Sequence, residues 1–493
     1  MSARRTLLAL TTSAALCAPL IAPAAAPAES FGRMFAGLAP FTAPSPSELG
    51  DLAAAMLNRN PDPITTNRGT ADDNAKLPAE FTYLGQFADH DLTFDPTPQP
   101  AATTNPLAIT NGRTFRFDLD SVFGGGPSAD PRLYASDHLH LLLQEPNANG
   151  VLDYARNPDG SAIIKEPRND ENQIISQIGT AFYRFYNRLV DRGYGYAKAR
   201  RLASDYWQEI VLRELLPAFV GQAQLDSYLH LRHGRYVVST PSFPHNGFTP
   251  IEFSLCAYRF GHALVRAAYH INDAPPGPAR AATDNNVPLF DMSALSTGDL
   301  TGGAALPGPT TIGAAPAGHQ IQWKYFVPAL DKTPADPTIN FARKTQPTVS
   351  APLFFLPPFT IPGAPNGTNV LLLRDFLRSH YYGVPSGQTI ARALHLPVLA
   401  AASINPTHDA SLDRGTPLLY YVLAEAQRYH STLGPVGRAI VAQTFLRVLA
   451  DDPHSILHNG FRPDPALIRI DPRHRRFTFG DLLIDAGVAP RFS

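Results

Sequence analysis

Residues 167–190 read PRNDENQIISQIGTAFYRFYNRLV. Ile174, Ile178, Phe182 and Phe185 recur at three- and four-residue spacing, the period of one helix face. Pro167 fits the start of such a helix, because its missing donor and fixed φ cost nothing there. A second helical run follows from Tyr196 through Leu215, and another spans 252–269 with Phe253, Cys256, Phe260 and Leu264 on one side. Further helices fit 370–380, 385–394, 415–430 and 434–449, and a shorter apolar-periodic piece lies near Leu49–Leu57. Long β alternation is scarce and no internal repeat is visible. The expected fold is mainly α-helical: a single large domain with long loops and little β-structure.

Composition narrows the function. The chain has 493 residues, enough to bury a large core without disulfides or a structural metal. Two cysteines exclude a disulfide scaffold. With 41 basic against 42 acidic residues, there is no basic excess to suit a nucleic-acid binder. The 48 prolines predict long shaped loops between helices, above all in the glycine- and proline-rich stretch 272–319.

The N-terminus reads differently. Arg4 and Arg5 precede an apolar run from Leu7 to about Ile21, and Ala26-Pro27-Ala28 offers a small-x-small cleavage site. This is the layout of a signal peptide over 1–28, with an N-terminal membrane anchor as the alternative and a twin-arginine signal allowed by the Arg pair. Its removal takes two positive charges, from −1 to −3, and leaves Cys256 as the one thiol. The mature form is expected to be secreted or periplasmic, without stable membrane insertion. Residues 29–69 read as an N-terminal arm and 70–493 as the main domain.

Four blocks carry chemistry-bearing residues. In GQFADHD, residues 85–91, Gln86 and His90 are four apart and share a face on a helix, with Asp89 and Asp91 flanking the histidine. His90 alone also suits a core histidine, a zinc ligand or a surface loop; neither HExxH nor paired cysteines occur. In PRNDEN, Arg168 and Glu171 are three apart, and ordinary capping by Asn169, Asp170 and Glu171 would explain the acids but not Arg168. In AYRFGHALVRAAYHIN, residues 257–272, His262 follows a glycine, where a bulky planar group can approach the backbone. A satisfied core histidine is the competing reading. In LRDFLRSHYYGVPSGQ, residues 373–388, Asp375 and Arg378 form a helical i,i+3 pair, for which helix-surface pairing is the plain account.

Taken together and in order, these blocks, with RTFRFDLDSVFGGG and LGPVGRAIVAQ, resemble the animal-type haem peroxidase family over about residues 70–455, most closely its bacterial secreted branch. The resemblance implies a haem-dependent peroxidase that reduces hydrogen peroxide through an oxyferryl state and oxidises small organic, chiefly phenolic or aromatic, donors, with halides as the alternative donors. His90 is then the distal acid-base histidine, Gln86 the distal glutamine and Arg168 the distal arginine. His262 becomes the proximal iron ligand, and Arg259 an arginine near a haem propionate. Asp375 and Arg378 belong to the cofactor-binding set. Asp89 and Glu171 stand where the family ester-links haem methyl groups, so a covalently held haem b derivative is implied. Asn172 replaces the methionine of a third, sulfonium link. A Ca²⁺ site is implied by Asp91, Thr114, Asp118 and Asp120, completed by the Arg116 carbonyl; hard oxygens suit that ion.

One departure stands out. The family has an asparagine against the proximal histidine, and this chain has Asp375. A carboxylate there would strengthen the imidazole's hydrogen bond, lower the iron potential and disfavour halide oxidation. A haem fatty-acid dioxygenase is the enzymatic alternative, but its radical tyrosine would stand three before the proximal histidine, where this chain has Arg259 and places Tyr258 one residue earlier. A secreted adhesion or matrix protein on a peroxidase scaffold is the non-enzymatic one. No nucleic-acid partner is implied, and nothing in the sequence fixes the oligomeric state.

Overall fold

The computed structural model describes residues 29–58, 72–97, 100, 102–144, 153–158, 160–243, 247–272, 286–288, 321–330, 339–354, 370–468, 470–471 and 476–489. The expected leader, 1–28, and nearly all of the loop 272–319 lie outside them. Helices dominate. Those of ten residues or more are α1 (Pro46–Ala55), α2 (Glu80–Leu92), α3 (Gln173–Asp191), α4 (Tyr196–Ile210), α5 (Leu371–Tyr381), α6 (Leu418–Tyr429) and α7 (Pro435–Asp451). The mainly helical single domain read from periodicity is what the chain forms.

At the centre is α3. The stripe Ile174, Ile178, Phe182 and Phe185 is buried as expected, but Gln173, Gln177 and Thr180 are buried too. The helix is therefore wrapped on all sides rather than laid on a surface. Its arginines face the C-terminal segment, where Arg184 donates to the Ala486 carbonyl at 3.1 Å and Arg188 to that of Asp485. Against it packs α2, through Phe87 stacked on Phe182 at 4.8 Å between ring centres. Trp207 of α4 meets both rings edge-on, at 5.3 and 5.4 Å. Below Trp207 the chain widens into a π-turn, Val211–Leu215.

Strands are short and peripheral to this bundle. β1 (Glu29–Gly32) is the middle strand of a three-stranded sheet, antiparallel to β3 (Thr110–Asn111) and parallel to β6 (Thr249–Pro250). β2 (Asp73–Pro78) pairs with β9 (Phe341–Arg343), β4 (Leu229–Arg232) with β5 (Arg235–Val238), and β7 (Ala268–His270) with β8 (Asn286–Pro288). The start of the N-terminal arm is thus tied into the body. The Met34 and Phe35 N–H groups donate to the Glu252 carboxylate at 2.9 and 3.2 Å, and Arg33 donates to the Gly383 and Tyr382 carbonyls.

One expected helix is broken. Instead of running from 252 to 269, the segment makes a turn at Ile251–Ser254, a 3-10 turn at Ala257–Phe260 and a helical turn at Gly261–Leu264. Cys256, at φ −133° and ψ −77°, leaves the helical region between the first two. Phe253, Cys256, Phe260 and Leu264 are all buried nonetheless. Their apolar spacing reports burial against α7, where Phe445 lies 5.9 Å from Phe253 and 5.3 Å from Tyr258, rather than one continuous helix.

Candidate active site

A cavity of about 480 Å³ collects most of the residues singled out from sequence. That volume suits a bound organic ligand. Helix α2 presents one face to it: Thr82, Tyr83, Gln86, Asp89 and His90. These positions follow the 3.6-residue period, so the helical spacing of Gln86 and His90 is used as expected. Arg168, Glu171 and Asn172 enter from the turn before α3, Arg259 and His262 from the broken segment, and Asp375 and Arg378 from α5.

His90 is almost fully buried, and its Nδ1 lies 2.8 Å from the Asn169 side-chain oxygen. A neutral imidazole donates Nδ1–H to that oxygen, which leaves the lone pair on Nε2. Burial, and then the Arg168 charge, push its pKa down to about 4. The ring is neutral at neutral pH and can accept a proton.

Arg168 is held along one edge. Its backbone N–H and Nε both donate to one Glu166 oxygen, at 3.0 and 2.8 Å. Its Nη2 reaches the other oxygen at 2.9 Å and also the Thr93 carbonyl. The guanidinium lies 5.1 Å from the centre of the Phe94 ring. Nη1 is the end left toward the cavity, 3.7 Å from Asp89.

Capping differs from expectation. Pro167–Asp170 form a separate 3-10 turn, capped by the Glu166 side chain, and Asn172 caps α3 through the Ile175 N–H. Asn169 is therefore free to hold His90. Asn172 also donates to Gln86 at 3.3 Å. Burial drives the Glu171 carboxyl up to about 7, against the pull of Arg168.

On another wall, His262 Nδ1 lies 3.0 Å from Asp375 Oδ2. The distance is that of a hydrogen bond but the alignment is not, so both atoms lack one among the described residues. Arg378 does not pair with Asp375, contrary to the helix-surface account. It donates to Asp95 at 3.2 Å and to the Thr97 carbonyl at 2.7 Å. Arg259 Nε donates to the Ser254 carbonyl at 3.0 Å, and Tyr258 donates its phenol to the Gly85 carbonyl at 3.2 Å. A Cβ built on Gly261 meets nothing within 4 Å, so the backbone beside His262 is open to a bulky group.

The acidic loop assembles separately, behind His90. Asp91, Asp118 and Asp120 bring carboxylate oxygens within 4.8 Å of one another. Along 113–120 alternate residues are buried, leaving Thr114, Arg116, Asp118 and Asp120 on the other side; the Arg116 side chain itself is exposed. Thr114 Oγ1 donates to Asp118 at 2.8 Å and its N–H to Asp120 at 3.0 Å. Asp91 accepts from Ser121 at 2.9 Å and Trp207 at 3.1 Å, and from the Leu119 N–H at 3.3 Å, where the backbone turns left-handed at φ 58°. Burial raises all three carboxyl pKa values, and the Asp118 charge adds to it for Asp91 and Asp120. Asp120 Oδ1 is buried without a hydrogen bond among the described residues. Three carboxylates so placed repel one another unless a cation sits among them.

Sequence reasoning missed Glu166, Arg113, Asn169 and Arg374. The acid Glu166 directly before Pro167-Arg168 was the available signal for the first. Arg113 donates to Glu166 at 2.9 Å and to the His90 carbonyl at 3.2 Å, so Glu166 sits between two guanidiniums.

A family model described as animal haem peroxidase matches residues 135–301. That span contains Arg168, Glu171, Arg259 and His262 but neither His90 nor Asp375. No curated protein matches the chain. Among solved structures it is similar to peroxidase A from Dictyostelium discoideum, with TM-score 0.58 and 15% identity over 94% of each chain. It is also similar to the fatty acid alpha-dioxygenase of Oryza sativa, with TM-score 0.55 and 13% identity over 89% of this chain and 77% of that one. For the Arabidopsis thaliana alpha-dioxygenase the values are 0.53, 13%, 90% and 72%.

These likenesses support the wider fold and single out no bacterial secreted branch.

Glu166 generates a pH prediction. Burial would raise its pKa, but the charge and hydrogen bond of Arg168 above all, with Arg113 among the weaker contributors, bring it down to about 2. Its folded pKa lies below the unfolded value, so its stabilisation is full above about pH 4.5 and disappears as pH falls toward 2. Glu166→Gln should lower stability at pH 7 by about 3 kcal/mol, with the gap to the parent shrinking below pH 4. Urea midpoints at pH 7 and pH 3 measure it; an equal gap at both contradicts the assignment. At this level the molecule is a helical chain whose fold is similar to that of peroxidase A from Dictyostelium discoideum and of fatty acid alpha-dioxygenases.

Proposed function

We propose that the chain is a haem-dependent peroxidase that uses hydrogen peroxide to oxidise small organic donors. The observation that carries this reading is one cavity lined by a neutral histidine, a pinned arginine and a second histidine backed by a carboxylate. The residues fit a haem. His262 offers Nε2 as an iron ligand while Nδ1 faces Asp375, and Gly261 leaves room beside it. Asp89 and Glu171 line the same cavity and are the candidates for ester links. Bound haem supplies a redox-active iron that takes oxidising equivalents from peroxide and passes them to donors.

The chain's own groups handle protons and charge. His90 Nε2 accepts a proton from one oxygen of bound peroxide. A protonated His90 is acidic in this setting, since burial and Arg168 disfavour its charge. It therefore readily gives the proton to the other oxygen as that oxygen leaves. Arg168, fixed by Glu166 and the Thr93 carbonyl, needs no rearrangement to hold charge developing there. Gln86, steadied by Asn172, is placed to order water or peroxide beside His90. The leader pattern at 1–28 supports an exported enzyme.

The test is an absorption spectrum of the haem-supplied mature chain before and after one equivalent of peroxide. A Soret band that shifts with peroxide and returns with a phenol is expected. His90→Ala should slow the peroxide step about 10²- to 10⁴-fold. Folded protein that binds no haem despite adequate supply overturns the reading.

Asp375 deepens it. With its N–H turned onto the Asp375 carboxylate 3.0 Å away, the His262 imidazole would become a stronger donor and would favour oxidised iron. Asp375→Asn should raise the Fe(III)/Fe(II) potential, by about 60 mV for each tenfold lost in that preference. An unchanged potential by spectroelectrochemistry sinks the idea.

For the acidic loop we read Ca²⁺, held by Asp91, Asp118 and Asp120 with Thr114 and the Arg116 carbonyl. The orphaned Asp120 oxygen and the all-oxygen set support it. At 100 times its dissociation constant Ca²⁺ should add about 2.7 kcal/mol of stability. Melting temperature with Ca²⁺ against chelator measures this, and Asp120→Asn should abolish the difference. A wild-type melting point indifferent to Ca²⁺ removes the site.

The fold shared with alpha-dioxygenases and the presence of Tyr258 in the cavity wall favour fatty-acid oxygenation as a second reading. Oxygen uptake with linoleate and no added peroxide distinguishes the two.

A further inference from the structure

The hairpin of β4 and β5 stands apart from the cavity. Its turn, His233-Gly234, has φ of 50° and 76°, the two positive values of a two-residue type I′ turn, which matches the twist of the strands. Leu229, Tyr236 and Val238 share one face and pack, partly buried, against the core. Arg213, from the π-turn, lies 5.4 Å over the Tyr236 ring and donates to its hydroxyl, which braces this base. Leu231 belongs to the same face, opposite Tyr236, yet it is 63% exposed. The outer end therefore overhangs the body, and every residue from Leu231 to Arg235 is exposed.

That end is both apolar and basic. Leu231 and Val237, the latter 42% exposed, are two of the five large hydrophobic side chains exposed among the described residues. They lie on opposite faces, so the end meets a surface tip-first rather than flat. Arg232 and Arg235 stand opposite each other in the last strand pair. Among the described residues neither has an ion-paired carboxylate, and Arg213 has only Glu209 at 4.0 Å. No acidic residue occurs in the sequence between Asp226 and Glu252. Like charges directly opposite repel, and exposed leucine is unfavourable in water, so the end costs stability until a complementary surface covers it.

Charge alone would keep the hairpin edges from pairing with other strands, but the exposed leucine and valine go beyond that need. Cations beside apolar side chains on a projecting end match an anionic lipid surface. Guanidiniums meet the phosphate groups while the apolar side chains enter the boundary with the acyl chains. We propose that the end of this hairpin docks the protein on an anionic lipid surface, with Arg232 and Arg235 supplying the charge and Leu231 and Val237 the apolar contact. An acidic polymer would use the arginines and leave the apolar pair in water. Such docking needs no spanning helix, and no described helix is long and apolar enough to be one. It is independent of the reaction proposed above.

The test is cosedimentation of the mature chain, 29–493, with vesicles of phosphatidylcholine alone or with about one-third phosphatidylglycerol. The leader is left out because its apolar run would take up lipid by itself. The parent should bind the anionic vesicles about 10-fold or more tightly than the neutral ones, and less as salt rises. Arg232→Gln with Arg235→Gln should lose about 30-fold, at about 5-fold for each charge, and Leu231→Ser about 10-fold. Leu231→Trp should bind at least as tightly as the parent, and its emission should shift to the blue on the vesicles. Arg392→Gln with Arg428→Gln removes two exposed arginines elsewhere and should bind as the parent does. Circular dichroism checks that each variant is folded. Equal binding of the parent to both vesicles, or a folded Arg232→Gln/Arg235→Gln chain that binds like the parent, overturns the proposal. Binding to polyglutamate as tight as to the vesicles, with both untouched by Leu231→Ser, assigns the arginines to an acidic polymer and overturns it too. A dimer formed without lipid and dissolved by Leu231→Ser gives the end to a second copy of the chain, with the same consequence.

Discussion

Glu166 is fully buried, and two arginines converge on it from different parts of the chain. An isolated carboxylate in that position would be protonated or hydrated; here Arg113 and Arg168 supply the charge and the hydrogen bonds that keep it ionised. The consequence reaches beyond the pair. Arg113 also binds the His90 carbonyl, and Arg168 also binds the Thr93 carbonyl, so both guanidiniums clamp the C-terminal end of α2. Both stack over Phe94, at 5.3 and 5.1 Å. One carboxylate therefore fixes the position of an arginine in the cavity and of the helix end that carries His90.

The acidic loop reinforces the same helix end from behind. His90 faces the cavity while Asp91, the next residue, turns into the carboxylate cluster. Adjacent positions on a helix point about 100° apart, so one short stretch can serve both places. Trp207 joins them to the core, since its indole donates to Asp91 while its ring packs on Phe87 and Phe182. A change in cluster charge would thus act on α2 directly, without any moving element between the two sites.

Much of this was legible in the sequence because helical spacing is a local property. Gln86, Asp89 and His90 share a face for the same reason that Ile174, Ile178 and Phe182 do, and both faces lie where the period puts them. The segment 252–269 was misread because apolar spacing reports which residues are buried, and a chain broken at Cys256 can bury the same set. The partners of the site residues were the least legible. Nothing local says that Arg378 will reach Asp95 instead of Asp375, 283 residues away instead of three. Nor does it say that Asn169 will serve His90 rather than cap α3, a task that falls to Asn172. Such pairings depend on which loops the fold brings together, and periodicity carries no information about that.

The two histidines of the cavity show why those partners matter more than the histidines themselves. Both are imidazoles on helical turns, and each has its Nδ1 within 3.0 Å of a side-chain oxygen. For His90 the oxygen belongs to a neutral amide, which fixes the tautomer without adding negative charge, and burial beside Arg168 then keeps the ring uncharged. For His262 the nearest oxygen belongs to a carboxylate, 3.0 Å away but out of line for a hydrogen bond, so the ring stands beside a negative charge instead of a neutral amide. Exchanging the two partners would give His90 a carboxylate that favours its charged form, and His262 a weaker support. The different surroundings of the two imidazoles are thus set by Asn169, on the 3-10 turn before α3, and Asp375, on helix α5, two elements that only the fold brings to these histidines.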